Sequence, residues 1–125
     1  MNKTALIIED DEDLANIFAE ALRGIGFEPE NALNGKIARE KLMKEDAPFL
    51  ILLDMHLPYI SGQELLRDMK SDAKFNNSWI IISTSDARLA EQYRDQVDFA
   101  LIKPVQYSQL KGLASRLKPK DEMSG

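Results

Sequence analysis

The chain has 125 residues, of which 44% are hydrophobic and 30% are charged, and this is the composition of a globular domain with a single core. The formal net charge is −5, which argues against direct nucleic-acid binding because such binding depends on basic residues that neutralise phosphates. The absence of cysteine excludes disulfides, zinc–thiolate sites and thiol catalysis.

No apolar run approaches the ~20 residues that are needed to cross a bilayer, and the N-terminus lacks the apolar stretch of a signal peptide. We therefore expect no membrane insertion and a cytoplasmic location. We expect residues 1–118 to form one domain and the polar residues 119–125 to form a disordered tail.

Short, continuous apolar runs are the predicted strands: residues 5–8, 49–53, 79–82 and 99–102. Runs without polar alternation are typical of parallel strands that are buried on both faces. A more polar fifth candidate, residues 27–33, is predicted to lie at an edge of the sheet.

Segments with helical periodicity follow the strands. The first has an apolar stripe of Leu14, Ile17, Phe18, Ala21, Leu22 and Ile25. Asp11 or Asp13 can cap its start, and Gly26 can end it. Asn34 is the predicted N-cap of the second helix, and Ser61 begins a capping-box pattern before the third. Two further helices are predicted within residues 87–93 and 107–117.

This alternation of strand and helix, five times over, predicts an α/β fold of three layers: a doubly wound parallel sheet with helices on both faces. Ligands bind such folds at the carboxyl ends of the strands. The residues found there are Glu9, Asp10, Asp54, His56, Ser83, Thr84, Ser85, Lys103 and Pro104.

These strand-end residues suit phosphoryl transfer. Neighbouring carboxylates repel one another, and Mg²⁺ relieves this repulsion because it prefers oxygen ligands. Lys103 and Thr84 can offset charge and donate a hydrogen bond to a phosphoryl group, and Asp54 can act as the nucleophile. Each residue alone has a simpler explanation: Glu9 and Asp10 as a solvated helix start, Asp54 as a turn residue, and Lys103 as a surface lysine.

Together, the segments resemble the receiver domain of two-component response regulators. The matching residues are 6–11, 52–58, Gly62, 82–85 and 102–104, and the resemblance runs from Thr4 to about Leu117. It implies the flavodoxin-like fold with strand order 2-1-3-4-5. In this fold, too, ligands bind at the carboxyl ends of the strands, near the point where the strand order reverses.

The resemblance also implies a role for each site residue. Asp54 is the expected phosphoacceptor. A Mg²⁺ or Mn²⁺ ion would be held by Asp10, by Glu9 directly or through water, by Asp54 and by the backbone carbonyl of His56. The hydroxyl of Thr84 and the backbone N–H of Ser85 would bind phosphoryl oxygens, and Lys103 would pair with the phosphoryl group or with Asp54. The Lys103–Pro104 peptide bond is expected to be cis.

The chain departs from the family pattern at Ala100, where receivers usually carry an aromatic residue that rotates on activation. Phe99 is one residue earlier and should face the opposite side of the sheet. The interval from Thr84 to Lys103 is also short, which predicts a trimmed fourth helix. Ser85 stands where alanine is commoner.

The predicted function is that of a two-component signalling domain that catalyses only its own phosphorylation and dephosphorylation. It is not expected to be a classical enzyme. Its expected partners are a histidine kinase or histidine phosphotransfer protein and a downstream protein target, and it is expected to be a monomer or weak homodimer. One alternative is a pseudo-receiver that binds partners without phosphorylation. A Mg²⁺-dependent phosphatase is disfavoured, because His56 occupies the position of the second aspartate of those enzymes and no cap segment is present.

Overall fold

The computed structural model describes residues 3–122. Its strands are β1 (Thr4–Ile8), β2 (Glu28–Ala32), β3 (Leu50–Asp54), β4 (Trp79–Thr84) and β5 (Phe99–Ile102). Its α-helices are α1 (Glu12–Arg23), α2 (Gly35–Lys44), α3 (Gly62–Lys70), α4 (Ala87–Tyr93) and α5 (Tyr107–Ala114). Single 3₁₀ turns cover Ala73–Phe75, Arg94–Gln96 and Lys120–Glu122.

The five strands form one parallel sheet in the order β2-β1-β3-β4-β5. This confirms the predicted fold and places the more polar strand β2 at an edge. The order reverses between β1 and β3, so the crevice at their carboxyl ends is the topological switch point, where ligands bind such sheets.

Helices cover both faces of the sheet and create two separate cores. One core packs α1 and α5 against side chains from alternate strand positions, including Ile7, Leu50 and Ile81. The other packs α2, α3 and α4 against the opposite positions, including Ile8 and Leu53. Strands β3 and β4 are buried at every position, as their unbroken apolar sequences predict.

Short polar side chains begin the helices that border the site. Asp11 accepts a hydrogen bond from the Leu14 backbone N–H at 3.1 Å, and Ser61 accepts one from Glu64 at 3.2 Å. Helix α1 ends earlier than Gly26, at Arg23. Gly26 then adopts φ 98°, a left-handed conformation that glycine tolerates and that leads the chain into β2.

The fifth strand departs from the family pattern as predicted. Phe99 packs on the α1–α5 side of the sheet, where its ring stacks on Trp79 with 6.2 Å between centroids. Ala100 packs on the other side, near Leu89 and Tyr93 of the short helix α4. The side of β5 on which an aromatic switch would rotate therefore carries a methyl group.

The segment after α5 packs against the amino ends of β4 and β5. The Trp79 indole N–H donates to the Lys118 carbonyl at 2.8 Å. The Lys120 ammonium lies 3.0 Å from the Asp98 carboxylate, 3.2 Å from the Ser78 carbonyl oxygen, and 5.4 Å from the centre of the Trp79 ring. We call this set of contacts the C-terminal clasp.

The clasp occupies part of the segment for which disorder was expected. Lys120–Glu122 forms a 3₁₀ turn, and the Lys120 side chain reaches a carboxylate that is distant in sequence, that of Asp98. Residues 123–125 lie outside the described residues. Within residues 3–122, no helix has the length and apolar character needed to cross a membrane.

Candidate functional site

The carboxyl end of the sheet gathers the predicted site residues in one row. Glu9 and Asp10 directly follow β1, Asp54 ends β3, Thr84 ends β4, and Lys103 directly follows β5. Because β1, β3, β4 and β5 are adjacent in this order, their ends form a continuous rim at the switch point.

Lys103 bridges two acidic side chains at this rim. Its ammonium lies 3.2 Å from Asp54 Oδ2 and 3.3 Å from Glu9 Oε1. Both acidic side chains are almost fully buried, at 3% exposure for Glu9 and 2% for Asp54. One lysine therefore faces two carboxylates in a place where water screens their charges poorly.

The burial of these charges shifts their proton affinities. Burial raises the pKa of the Glu9 carboxyl to about 7, and the negative charge of Asp54 adds to this rise. The Asp11 backbone N–H, which donates to Glu9 Oε2 at 3.1 Å, and the positive charge of Lys103 oppose it. Burial acts to lower the pKa of Lys103, but the charges of Asp54 and Glu9 outweigh it and raise that pKa above its usual value.

The same rim offers ligands for a divalent cation. Glu9, Asp10 and Asp54 each place a carboxylate oxygen within 4.8 Å of the others, with Asp10 exposed and the other two buried. Hard oxygen donors of this kind match Mg²⁺, and the cluster holds three carboxylates, of which Lys103 contacts two. The donor set therefore fits a Mg²⁺ or Mn²⁺ ion.

The loop after β3 holds Asp54 through the backbone. The His56 N–H donates to Asp54 Oδ1 at 2.9 Å. Gly62 lies against this loop so closely that a Cβ there would stand 2.6 Å from the Met55 Cα atom and 2.8 Å from the Asp54 carbonyl oxygen. Only glycine allows α3 to approach the loop after β3 in this way.

Thr84 is fully buried, and its hydroxyl oxygen makes two hydrogen bonds. It accepts from the Asp86 N–H at 3.0 Å, and it lies 3.0 Å from Nε2 of the His56 imidazole. Ser85 is exposed in the turn that follows. The structure thus brings Thr84 to the rim beside His56.

The His56 side chain is the feature that sequence reasoning missed. The sequence favours a surface side chain whose backbone carbonyl is the functional group. The side chain is exposed, but its ring also reaches Thr84. The adjacency of β3 and β4 brings their end loops together, yet nothing in the sequence gives the direction of the ring. The Lys103–Pro104 bond is cis, as the resemblance implies.

The family model of the response regulator receiver domain matches residues 5–115, nearly the whole chain. The chain belongs to the response regulator receiver domain family. Receiver domains act in two-component signalling and are not classical enzymes, and their partners are kinases or phosphotransfer proteins and downstream targets. Several known response regulators are similar to this receiver domain.

The polar-differentiation response regulator DivK of Brucella anthropi is 32% identical to this receiver domain over 94 residues, which cover 75% of this chain and 76% of DivK. The probable methanogenesis regulatory protein FilR2 of Methanothrix harundinacea is 29% identical over 123 residues, which cover 90% of this chain and 79% of FilR2.

Solved structures share the fold. The signal receiver domain of a putative LuxO repressor protein from Vibrio parahaemolyticus superposes with a TM-score of 0.85 at 23% identity, covering 100% of this chain and 99% of that one. The chemotaxis response regulator CheY4 of Vibrio cholerae superposes with a TM-score of 0.83 at 19% identity, covering 93% and 98% of the two chains.

Proposed function

We propose that this receiver domain accepts a phosphoryl group on Asp54 from a histidine kinase or histidine phosphotransfer protein. The observation that carries the proposal is the contact of Lys103 with both Asp54 and Glu9 at the switch point of the sheet. A lysine beside a buried carboxylate and a cation-binding cluster is the arrangement that stabilises negative charge on a transferring phosphoryl group.

Glu9, Asp10, Asp54 and the backbone carbonyl of His56 would hold Mg²⁺ or Mn²⁺. When bound, the ion supplies positive charge that offsets the charge of the phosphoryl oxygens. Three acidic side chains with oxygens within 4.8 Å of one another support this assignment.

In the reaction, an oxygen of the Asp54 carboxylate attacks phosphorus as the bond to the donor atom breaks. The electron pair of that bond leaves with the donor, a histidine nitrogen or the acetate oxygen of acetyl phosphate. The product is an acyl phosphate on Asp54. Water later attacks this phosphorus, which releases inorganic phosphate and restores the carboxylate.

The phosphoryl group would then be held from three directions. Lys103 already lies beside Asp54 and carries a raised pKa, so it remains charged at neutral pH. Thr84 would donate its hydroxyl proton to a phosphoryl oxygen, and the Ser85 backbone N–H would bind another. These contacts favour one state of the domain, and the change is a shift between two populations.

The output surface is proposed to be the face of α4, β5 and α5, which would bind a downstream protein. Ile102 at the end of β5 and Tyr107 at the start of α5 are 45% and 41% exposed there. The chain is proposed to act as a monomer or weak homodimer. The cytoplasmic location and the disorder expected after residue 118 stay predictions.

Ala100 favours one alternative, a pseudo-receiver that binds its partner without phosphorylation. The methyl group at this position cannot act as the usual aromatic switch. A phosphorylation-dependent switch is favoured instead, because the chain retains the complete set of Glu9, Asp10, Asp54, Thr84 and Lys103.

Intact-mass measurement after incubation with acetyl phosphate tests the proposal. With Mg²⁺, the wild-type protein should gain one phosphoryl group, and chelation of the metal should abolish the gain. Asp54→Asn should show no adduct, whereas Asp68→Asn, which removes an exposed carboxylate elsewhere, should label like wild type. An adduct on Asp54→Asn would refute the assignment.

A further inference from the structure

The His56 imidazole lies at the one buried hydroxyl on which the proposed switch depends. Its Nε2 atom is 3.0 Å from Thr84 Oγ1, and Thr84 itself has no exposed surface. His56 also contacts the phosphoacceptor, because its backbone N–H donates to Asp54 Oδ1 at 2.9 Å. One residue therefore joins Asp54 to Thr84.

The hydrogen-bonding capacity of the Thr84 hydroxyl determines whether the His56 imidazole donates or accepts. A hydroxyl has one proton to donate and two lone pairs that accept. The Asp86 N–H donates to Oγ1 at 3.0 Å, so one lone pair is already used. Among residues 3–122, the remaining partner of Oγ1 is His56 Nε2, and a buried hydroxyl proton without an acceptor is costly.

We propose that His56 is a positioning residue that accepts the Thr84 hydroxyl proton at Nε2 and so locks Thr84 in the unphosphorylated state. The imidazole then carries its own proton on Nδ1. The bond to Thr84 fixes this tautomer, because the alternative would place two N–H donors on the hydroxyl and leave its proton without a partner.

This inference rests on the proposed function for its second half. The phosphoryl group on Asp54 also requires the single Thr84 proton, and an anionic oxygen is a stronger acceptor than a neutral imidazole. Phosphorylation would therefore take the proton from His56 and release the ring. The loop after β3, and not residue 100, would report the state of the domain.

The position of Ala100 explains why such a lock is useful here. In the absence of an aromatic side chain at residue 100, the methyl group of Ala100 cannot follow the movement of Thr84. His56, in direct contact with the Thr84 hydroxyl, supplies a ring that can move with it. The switch would then act through β3 and β4 instead of β4 and β5.

Nitrogen NMR of the imidazole tests the resting state. His56 is the only histidine of the chain, so its ring signals need no assignment. For the uncharged ring, the spectrum should show the Nδ1–H tautomer with Nε2 unprotonated. Thr84→Val removes the hydroxyl and should release this preference, and Thr84→Ser should retain it. An Nε2–H ring in wild type, or no response to Thr84→Val, would overturn the lock.

A second arm separates the lock from the proposed function. Beryllofluoride, a mimic of the phosphoryl group, is added with Mg²⁺, and its binding is followed by fluorine NMR while the His56 ring is followed by nitrogen NMR. Binding with a change in the His56 tautomer supports the inference. Binding without that change overturns the inference alone, whereas absence of binding overturns the proposed function.

Substitution of His56 gives the quantitative test. His56→Phe keeps a ring without an acceptor, and His56→Gln keeps an acceptor oxygen. Without a competing acceptor in the resting state, His56→Phe should bind beryllofluoride about five-fold more tightly than wild type, which corresponds to one ordinary hydrogen bond. His56→Gln should lie within about two-fold of wild type. Equal affinities for the two variants would contradict a lock.

Discussion

Two lysines tie strands together at opposite ends of the sheet, and they do so in different electrostatic settings. Lys103 at the carboxyl end faces two buried carboxylates, Glu9 and Asp54. Lys120 at the amino end faces one carboxylate, Asp98, together with a carbonyl oxygen and an indole ring. The carboxyl end is therefore short of positive charge, and the amino end is balanced.

The balanced end is a structural fastening. The Asp98 carboxylate also accepts the Ile80 backbone N–H at 2.8 Å, so the carboxylate that Lys120 contacts is itself anchored on the sheet. The other end holds Glu9 at a pKa of about 7, in a cluster of three carboxylates whose oxygens lie within 4.8 Å of one another. A site whose charge balance changes when an ion or a phosphoryl group is added is suited to switching.

Loss of the bridging lysine should have the largest effect on stability. Lys103→Met leaves Glu9 and Asp54 without their positive partner and should lower the free energy of unfolding by about 3 kcal/mol in the absence of Mg²⁺. Urea denaturation at about pH 8 measures this loss. A loss no larger than that of Lys120→Met would remove the contrast between the two ends.

The pH dependence of stability should show the burial of Glu9. Glu9 has a raised pKa of about 7 against an ordinary value of 4.5, so the folded state holds this proton more tightly than the unfolded state. Its contribution to stability is fully present below about pH 4.5 and is lost as pH rises through about 7, at a cost of up to about 3 kcal/mol.

Glu9→Gln is the matched variant for this prediction. It should flatten the decline in unfolding free energy between about pH 4.5 and pH 7 and should be more stable than wild type above that range when Mg²⁺ is absent. Glu12→Gln, at an exposed position of α1, provides the control and should follow the wild-type curve. A Glu9→Gln curve that parallels wild type would show that Glu9 carries no shifted proton.

Loss of the clasp should have the smallest effect. Lys120→Met removes one partly exposed ion pair and one hydrogen bond, and it should reduce the free energy of unfolding by about 1 kcal/mol. Trp79 fluorescence should report the change, because the Lys120 ammonium lies over its ring. Labelling by acetyl phosphate should be unchanged, and a defect in labelling would mean that the two ends are coupled.

Much of the fold could be predicted because its strands are unbroken apolar runs and its helices have capped, periodic sequences. The predicted ends of β3 and β4 were too early, since Asp54 and Thr84 are polar but still pair in the sheet, Asp54 with Ser83 and Thr84 with Ile102. The last helix ends at Ala114, and Leu117 is buried just after the turn that follows it. The helical pattern therefore identified Leu117 correctly as a buried residue, although the helix itself ends three residues earlier.

The rim of the site was also predictable, because the strand order that the family resemblance implies brings the end residues of β1, β3, β4 and β5 together. The His56–Thr84 bond and the C-terminal clasp were not predictable, since each depends on where a flexible side chain points after the fold has formed. Sequence periodicity fixes faces of elements, but it does not fix the direction of a ring in a loop or the reach of a lysine near the chain end.

The most direct test of the account is binding of beryllofluoride with and without Mg²⁺, followed by fluorine NMR on wild type and Asp54→Asn. We expect bound fluoride signals in wild type that require Mg²⁺, and none in Asp54→Asn. Two results would contradict the claim that the acidic rim of Glu9, Asp10 and Asp54 is a cation-dependent phosphoacceptor site. One is bound signals in Asp54→Asn, and the other is wild-type binding that does not depend on Mg²⁺.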